Sequence, residues 1–249
     1  MSSTDTDLTG RVAIVTGASS GIGEATARHL ADRGVHVVVN SARSVDAGRA
    51  VAESLSTPSV YVQADITDEA ADRELVAAAL DTYGRLDILV NNAGWTTRVP
   101  HDDLDALTDD ILRRTFEVNV FGTWWLTRAA MPHLRRSPDG NVVNITSIAG
   151  LRPVGSSIAY GMSKAALNLL TVDLAKHCGP VRVNAVAPGL VATPWTADWD
   201  DLHAAMAALT PVRRSGTPED CARAVMACVT NTFMTGSVVV VDGGTITLM

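Results

Sequence analysis

Tyr160-Gly-Met-Ser-Lys164, with Ser147 upstream, holds the residues best suited to proton chemistry. Side chains four apart on a helix share one face, so Tyr160 and Lys164 point the same way. A free phenol, with a pKa of about 10, is a poor acid–base catalyst at neutral pH. A nearby ammonium favours the phenolate and lowers that value. A tyrosine tuned in this way can exchange a proton with a carbonyl or alcohol oxygen. By itself Tyr-x-x-x-Lys occurs on many surface helices, so the elements that would position it matter.

A second signal lies near the N-terminus. Arg11-Val-Ala-Ile-Val-Thr16 reads as a buried strand and runs into Gly17-Ala18-Ser19-Ser20-Gly21-Ile22-Gly23. A helical pattern follows, closed by Gly34, and Val35–Asn40 reads as the next strand. In this β-α-β unit Gly17 permits a tight turn, Gly21 lets backbone approach a pyrophosphate, and Gly23 lets helix and strand pack closely. The helix aims its first N–H groups at phosphate. Strands are expected at 11–16, 35–40, 59–63, 86–91, 141–145, 181–187 and 237–241, and helices near 21–33, 46–55, 68–83, 109–136, 157–177 and 217–229. Strand–helix alternation from end to end implies an α/β fold. The expectation is a doubly wound, Rossmann-type, seven-stranded parallel sheet with helices on both faces, in a single domain over 9–249. Thr16, Asn91 and Ser147 all fall at the carboxyl ends of predicted strands, where such folds bind ligands.

The Gly-x-x-x-Gly-x-Gly turn, Asn91-Asn92-Ala93-Gly94, Asn119, Ser147, Tyr160, Lys164 and Pro188-Gly189 together resemble the short-chain dehydrogenase/reductase family. The compact branch that includes 3-oxoacyl-carrier-protein reductases and carbonyl reductases is the most similar. The resemblance implies that Asn119, Ser147, Tyr160 and Lys164 are catalytic. Ser147 would position the substrate oxygen, Tyr160 would exchange the proton, and Lys164 would bind the nicotinamide ribose and, together with the cofactor's positive ring, lower the phenol pKa. Asn119 would kink its helix and hold a water that links Lys164 to solvent. It also implies a cofactor site built from Gly17, Ser19, Ser20, Gly21, Ile22, Gly23, Asn40, Ser41, Arg43, Asp65, Ile66, Asn92, Ala93, Gly94, Tyr160, Lys164, Pro188, Gly189, Val191 and Thr193. Asp65 would bind the adenine amino group, or simply cap a turn. Asn91 would shape the adenosine pocket, or brace neighbouring strands. Thr193 would support the carboxamide or phosphate, or cap the next segment.

NAD-selective relatives place an aspartate where Ser41 stands. Here that carboxylate is missing and Arg43, a planar fork suited to phosphate, lies two residues on, with Asn40, Ser41 and Ser44 as neutral donors. The pattern favours NADP(H), with NAD the runner-up; Ser20, where NADP relatives carry a basic residue, argues the other way. A substrate lid is expected near 190–211, offering Trp195, Trp199, Leu202, Met206 and Leu209, with Trp95 and Arg152–Val154 as further walls. Pro132-His133 and a short loop after Lys176 depart from carrier-protein reductases. A small or medium apolar ketone, or its alcohol, is the preferred substrate.

Composition narrows the field. The net charge of −7 argues against nonspecific nucleic-acid binding. No apolar run reaches the ~18 residues of a membrane span, and residues 1–8 read as a polar, frayed tail without an export signal. A cytoplasmic protein with reduced thiols at Cys178, Cys221 and Cys228 follows, and no metal-ligand spacing is found. The family resemblance implies a homotetramer built on the helices of 109–136 and 157–177. A non-catalytic dinucleotide-binding redox sensor is disfavoured by the complete Asn119, Ser147, Tyr160 and Lys164 set. A sugar-nucleotide epimerase or dehydratase is disfavoured by the short stretch that follows Lys164.

Overall fold

Alternate residues of the strands face opposite ways, and in this chain both sets are apolar. Ala13 and Val15 of β1 (Val12–Val15) join one core cluster, whereas Val12 and Ile14 join another. Such a strand must be covered on both faces. The structure, a computed structural model that describes residues 6–249, shows how. Strands β1, β2 (His36–Ser41), β3 (Val60–Gln63), β4 (Ile88–Asn91), β5 (Asn141–Ile145), β6 (Arg182–Pro188) and β7 (Val238–Val241) form one parallel sheet in the order β3-β2-β1-β4-β5-β6-β7. Ile14 pairs in register with Val38 on one side and Leu89 on the other.

Helices α1 (Gly21–Ala31), α2 (Val45–Ser54) and α8 (Pro218–Thr230) supply the cluster on one face of the sheet. Helices α3 (Glu69–Tyr83), α5 (Thr123–Leu134) and α6 (Ile158–His177) supply the other. Helix α4 (Asp109–Phe116) precedes α5, and α7 (Asp200–Leu209) lies between β6 and α8. Local chemistry sets the helix ends. Asp68 caps α3 by accepting from the Ala70 N–H, and Gly84, at φ 75°, closes that helix in the left-handed region open to glycine. Ser157 caps α6 by accepting from the Tyr160 N–H, so the cap fixes the turn that carries Tyr160.

Three expectations need correction. The helix expected over 109–136 is interrupted by a π-helical turn at Glu117–Gly122, which contains Asn119. The segment 190–211, expected as a lid, contains a full helix, α7, where no helix was expected. The docked chain begins before residue 9: Leu8 is buried in the core and the Thr6 hydroxyl donates to the Thr230 carbonyl. The rest of the expected tail, residues 1–5, lies outside the described residues.

The end of the sheet away from the glycine turn is held by buried charge. Arg182, at the start of β6, pairs with Asp139 at 3.0 Å and donates to the carbonyls of Cys228, Val229 and Asn231 at the end of α8. Arg11 also pairs with Asp139 at 3.0 Å. Asp87 accepts from the Val12 N–H, Ser137 and Arg85. Burial raises the Asp87 carboxyl, but these donors outweigh it and hold the group below the usual carboxylate range.

Candidate active site

The order of strands reverses around β1 and β4, and the main cleft opens at their carboxyl ends, as expected of a topological switch point. Its volume is about 1300 Å³. That exceeds the upper end of a typical small-ligand pocket, roughly 1000 Å³.

The glycine turn forms one end. Gly17 and Gly21 have φ of 61° and 59°, and a Cβ on Gly17 would stand 3.0 Å from Ala93 Cα. These positions therefore present bare backbone to the cleft. Thr16 ties the two loops together, accepting at its hydroxyl from the backbone N–H groups of Asn92 and Ala93. The Asn92 amide returns the contact by donating to the Thr16 and Gly17 carbonyls.

Most of the expected cofactor residues line this cleft: Gly17, Ser20, Gly21, Ile22, Asn40, Ser41, Arg43, Asp65, Ile66, Asn92, Ala93, Gly94, Pro188, Gly189, Val191 and Thr193. Ser19 and Gly23 do not. Gly23 packs so closely beneath the turn that a Cβ there would come within 2.5 Å of the Asn92 side chain, which makes its role one of packing. Asn40 lines the wall but is no free donor, because its amide already donates to the Val62 and Ala64 carbonyls. The Ser41 hydroxyl is likewise engaged, donating to the Ser44 carbonyl and meeting the Tyr61 hydroxyl. Arg43 is exposed, and its guanidinium makes no hydrogen bond or ion pair among the described residues. Asp65 accepts from the Thr67 N–H and hydroxyl; burial raises its carboxyl, but those bonds and the charges of Arg114 and Arg43 hold it lower. Asn91 braces the sheet instead of lining the cleft, donating to Asn144 and Thr127.

At the other end stand Ser147, Tyr160 and Lys164. Ser147 follows β5 and its hydroxyl accepts from the Ala149 N–H at 3.1 Å. Lys164 is buried, its Nζ donating to the Ile145 carbonyl at 2.8 Å and standing 5.5 Å from the centre of the Tyr160 ring. The expected lowering of the phenol is not what the protein alone produces. Burial pushes Tyr160 up to about 12, only partly opposed by the hydrogen bond with Ser147. Burial also pushes Lys164 down to about 8. Asn119 lies behind the wall: its amide donates to the Trp95 carbonyl and to Ser163, and its oxygen accepts from the Trp95 N–H. It thus fixes the loop after Gly94, where a Cβ would meet the Asn119 oxygen at 3.3 Å and Lys164 Nζ at 3.7 Å.

Trp95, Val154, Trp195, Trp199, Leu202 and Met206 complete the cleft beside Tyr160. Trp195 meets the Tyr160 ring edge-on at 6.4 Å. Two expected wall residues fall elsewhere: Leu209 is 62% exposed on the outer side of α7, and Arg152 bonds back to the Leu151 carbonyl. The sequence reading missed Arg98, His101, Arg114 and Met249, which also line the cleft. No local motif marks them, since only the folded loops bring them there.

A family model described as enoyl-(acyl carrier protein) reductase matches residues 17–246. A relative from Streptomyces violaceoruber, named for a ketoacyl reductase role in granaticin polyketide synthase, is 53% identical over 94% of this chain and 95% of its own. Cis-4-hydroxycyclohexanecarboxylate dehydrogenase of Sinomonas cyclohexanicum is 37% identical over 94% of this chain and 96% of its own. A crystal structure described as a short-chain dehydrogenase/reductase from Burkholderia xenovorans superposes with a TM-score of 0.88 at 34% identity, covering 95% of this chain and 98% of that one. With this fold, this cleft and these relatives, the chain belongs to the short-chain dehydrogenase/reductase family, oxidoreductases of carbonyl and alcohol groups that use a nicotinamide dinucleotide.

Proposed function

We propose that the protein interconverts an apolar, ring-bearing ketone and its secondary alcohol with NADP(H), using Tyr160 as the general acid and base. One observation carries this reading: Ser147, Tyr160 and Lys164 converge in the same cleft that receives the bare backbone of Gly17 and Gly21. That backbone, at the start of α1, suits a pyrophosphate. Arg43, exposed at the end of β2 where Ser41 replaces a carboxylate, would hold a 2′-phosphate. Asp65 and Ile66 would flank the adenine, and Lys164 would hold the nicotinamide ribose.

When bound, the nicotinamide supplies or accepts the hydride. The protein's part is orientation and proton management. Ser147 would donate to the substrate oxygen and hold it beside the phenol. With its pKa pushed up to about 12, Tyr160 keeps its proton at neutral pH, the state needed to protonate an alkoxide as a ketone is reduced. For alcohol oxidation the phenol must yield that proton, which positive charge on Lys164 would assist. Asn119 acts by positioning, since it fixes the Trp95 backbone at the cleft wall.

The aromatic wall of Trp95, Trp195 and Trp199 supports a ring-bearing substrate, as does the cyclohexane ring in one relative's name, while the name of another points to a ketone on an acyl chain. The segment 190–211, with α7 over the cleft, would act as the lid. Exposed Phe121, Trp124 and Leu169 on the helices of 109–136 and 157–177 support a homotetramer. The test is nicotinamide absorbance in the wild-type protein with cyclic and aryl ketones, each with NADPH and NADH. Turnover favouring NADPH is expected. Turnover favouring NADH would overturn the cofactor assignment, and binding of either dinucleotide without turnover of any ketone or alcohol would favour a sensor.

A further inference from the structure

We propose that Arg98 is a subsite for an anionic group, a carboxylate or phosphate, on the end of the substrate away from the reacting carbonyl. This deepens the hydride-transfer reading above and rests on it. The substrate half of the cleft is otherwise mainly apolar, walled by Trp95, Trp195, Trp199, Leu202 and Met206. Within that wall Arg98 places its guanidinium 5.6 Å over the ring of Trp199, across the mouth from its own loop to the lid. A guanidinium over a ring face keeps its edge N–H donors available for a planar or tetrahedral anion.

The residue is held in place. Next to it, the Val99 N–H donates to the Ser156 carbonyl at 2.8 Å, and the Thr96 hydroxyl bonds the Ser156 hydroxyl at 2.6 Å. Exposed arginines in an acidic chain commonly pair with carboxylates. Here Asp102 and Asp103 follow closely in sequence and Asp198 and Asp200 flank Trp199, yet Arg98 makes no ion pair among the described residues. The same wall holds a second polar group without a partner: His101 Nε2 is shut from solvent and makes no hydrogen bond. A positioned, unpaired cation with an unpaired imidazole nitrogen on the same loop is suited to an acidic ligand and is unneeded by a wholly apolar one.

The test compares ω-benzoylalkanoates of graded linker length with their methyl esters and with the matching ω-benzoylalkyl phosphates. For the best linker, the wild type is expected to favour the anion over the ester by about tenfold in kcat/KM, the scale of one charge-assisted hydrogen bond. Arg98→Met should erase that preference by raising KM for the anion about tenfold more than for the ester, and Arg98→Lys should restore part of it. Whichever anion is preferred identifies the head group. Equal treatment of anion and ester by the wild type would overturn the proposal. So would an equal loss on both in Arg98→Met, which would make Arg98 only a latch on Trp199. If no ketone is turned over with either dinucleotide, the hydride-transfer reading fails. In that event quenching of tryptophan fluorescence by anion and ester still decides Arg98: quenching selective for the anion and lost in Arg98→Met supports the subsite, and equal quenching overturns it.

Discussion

Asp72 lies on the inner face of α3, fully buried, and neither of its carboxylate oxygens has a hydrogen-bond partner. Burial first, then the charges of Asp68, Glu69 and Asp65, raise its pKa from 3.8 to about 8, against a small pull from Arg73. The folded protein therefore holds a proton at neutral pH that the unfolded chain releases. About three pH units separate the unfolded value from neutrality, each worth about 1.36 kcal/mol, so keeping that proton removes up to about 4 kcal/mol of stability. Asp72→Asn removes the titration but leaves a polar group buried, so a net gain of about 2 to 4 kcal/mol is expected near pH 7. For a chain of this size that is roughly 5 to 15 °C in Tm. The direction with pH follows from the raised folded value. Stability from the protonated carboxyl is complete below 3.8 and is lost as pH rises towards 8. The gap between variant and wild type should thus grow by about 1.4 kcal/mol per pH unit between pH 5 and 8 and level off above. Paired thermal and urea melts across that range measure it. An unchanged Tm at pH 7, or a gap that does not shrink in acid, would refute the reasoning.

Three further outcomes concern the site. Tyr160→Phe should lower kcat by about 10² to 10⁴, the usual share of a general acid, while the melting shift produced by NADPH persists. Lys164→Met should abolish turnover and also change the alkaline stability profile. Because burial holds the folded ammonium near 8, below its ordinary 10.5, wild-type stability should rise with pH between those values, and the variant should lack that rise in paired melts. Arg43→Ala should weaken NADPH binding by about tenfold and leave NADH binding nearly unchanged in a calorimetric titration, and retention of the full preference for NADPH would discard Arg43 as the phosphate ligand.

The strands were legible because each is a short run of β-branched residues, and their observed limits fall within a residue or two of the expected ones. The glycine turn and the Tyr160–Lys164 pair were legible because one local element holds each. What failed depends on partners remote in sequence. The Asn40 amide looked available until β3 came alongside and offered two carbonyls. In the protein alone, burial rather than the Lys164 ammonium sets the direction for Tyr160, and burial is a property of the packed fold. The π-turn at Asn119 had a partial signal in an asparagine amid apolar neighbours, which marked the place but not the extra residue per turn. Arg98 and His101 had none, since a loop residue acquires meaning only from what faces it.

The clamp at the far end of the sheet has a mechanical consequence. Arg182 fastens the end of α8 to the start of β6, and Asp87 and Asp139 gather the neighbouring chain segments around them. The strands that carry Ser147 and Pro188 are thereby anchored at their roots and loaded at their tips, like beams fixed in a wall. A ligand pressing on the tips would find the roots braced, and displacement would fall on α7 and the loops beside it. Such bracing at one end would let the other yield without disturbing the register of the sheet between them.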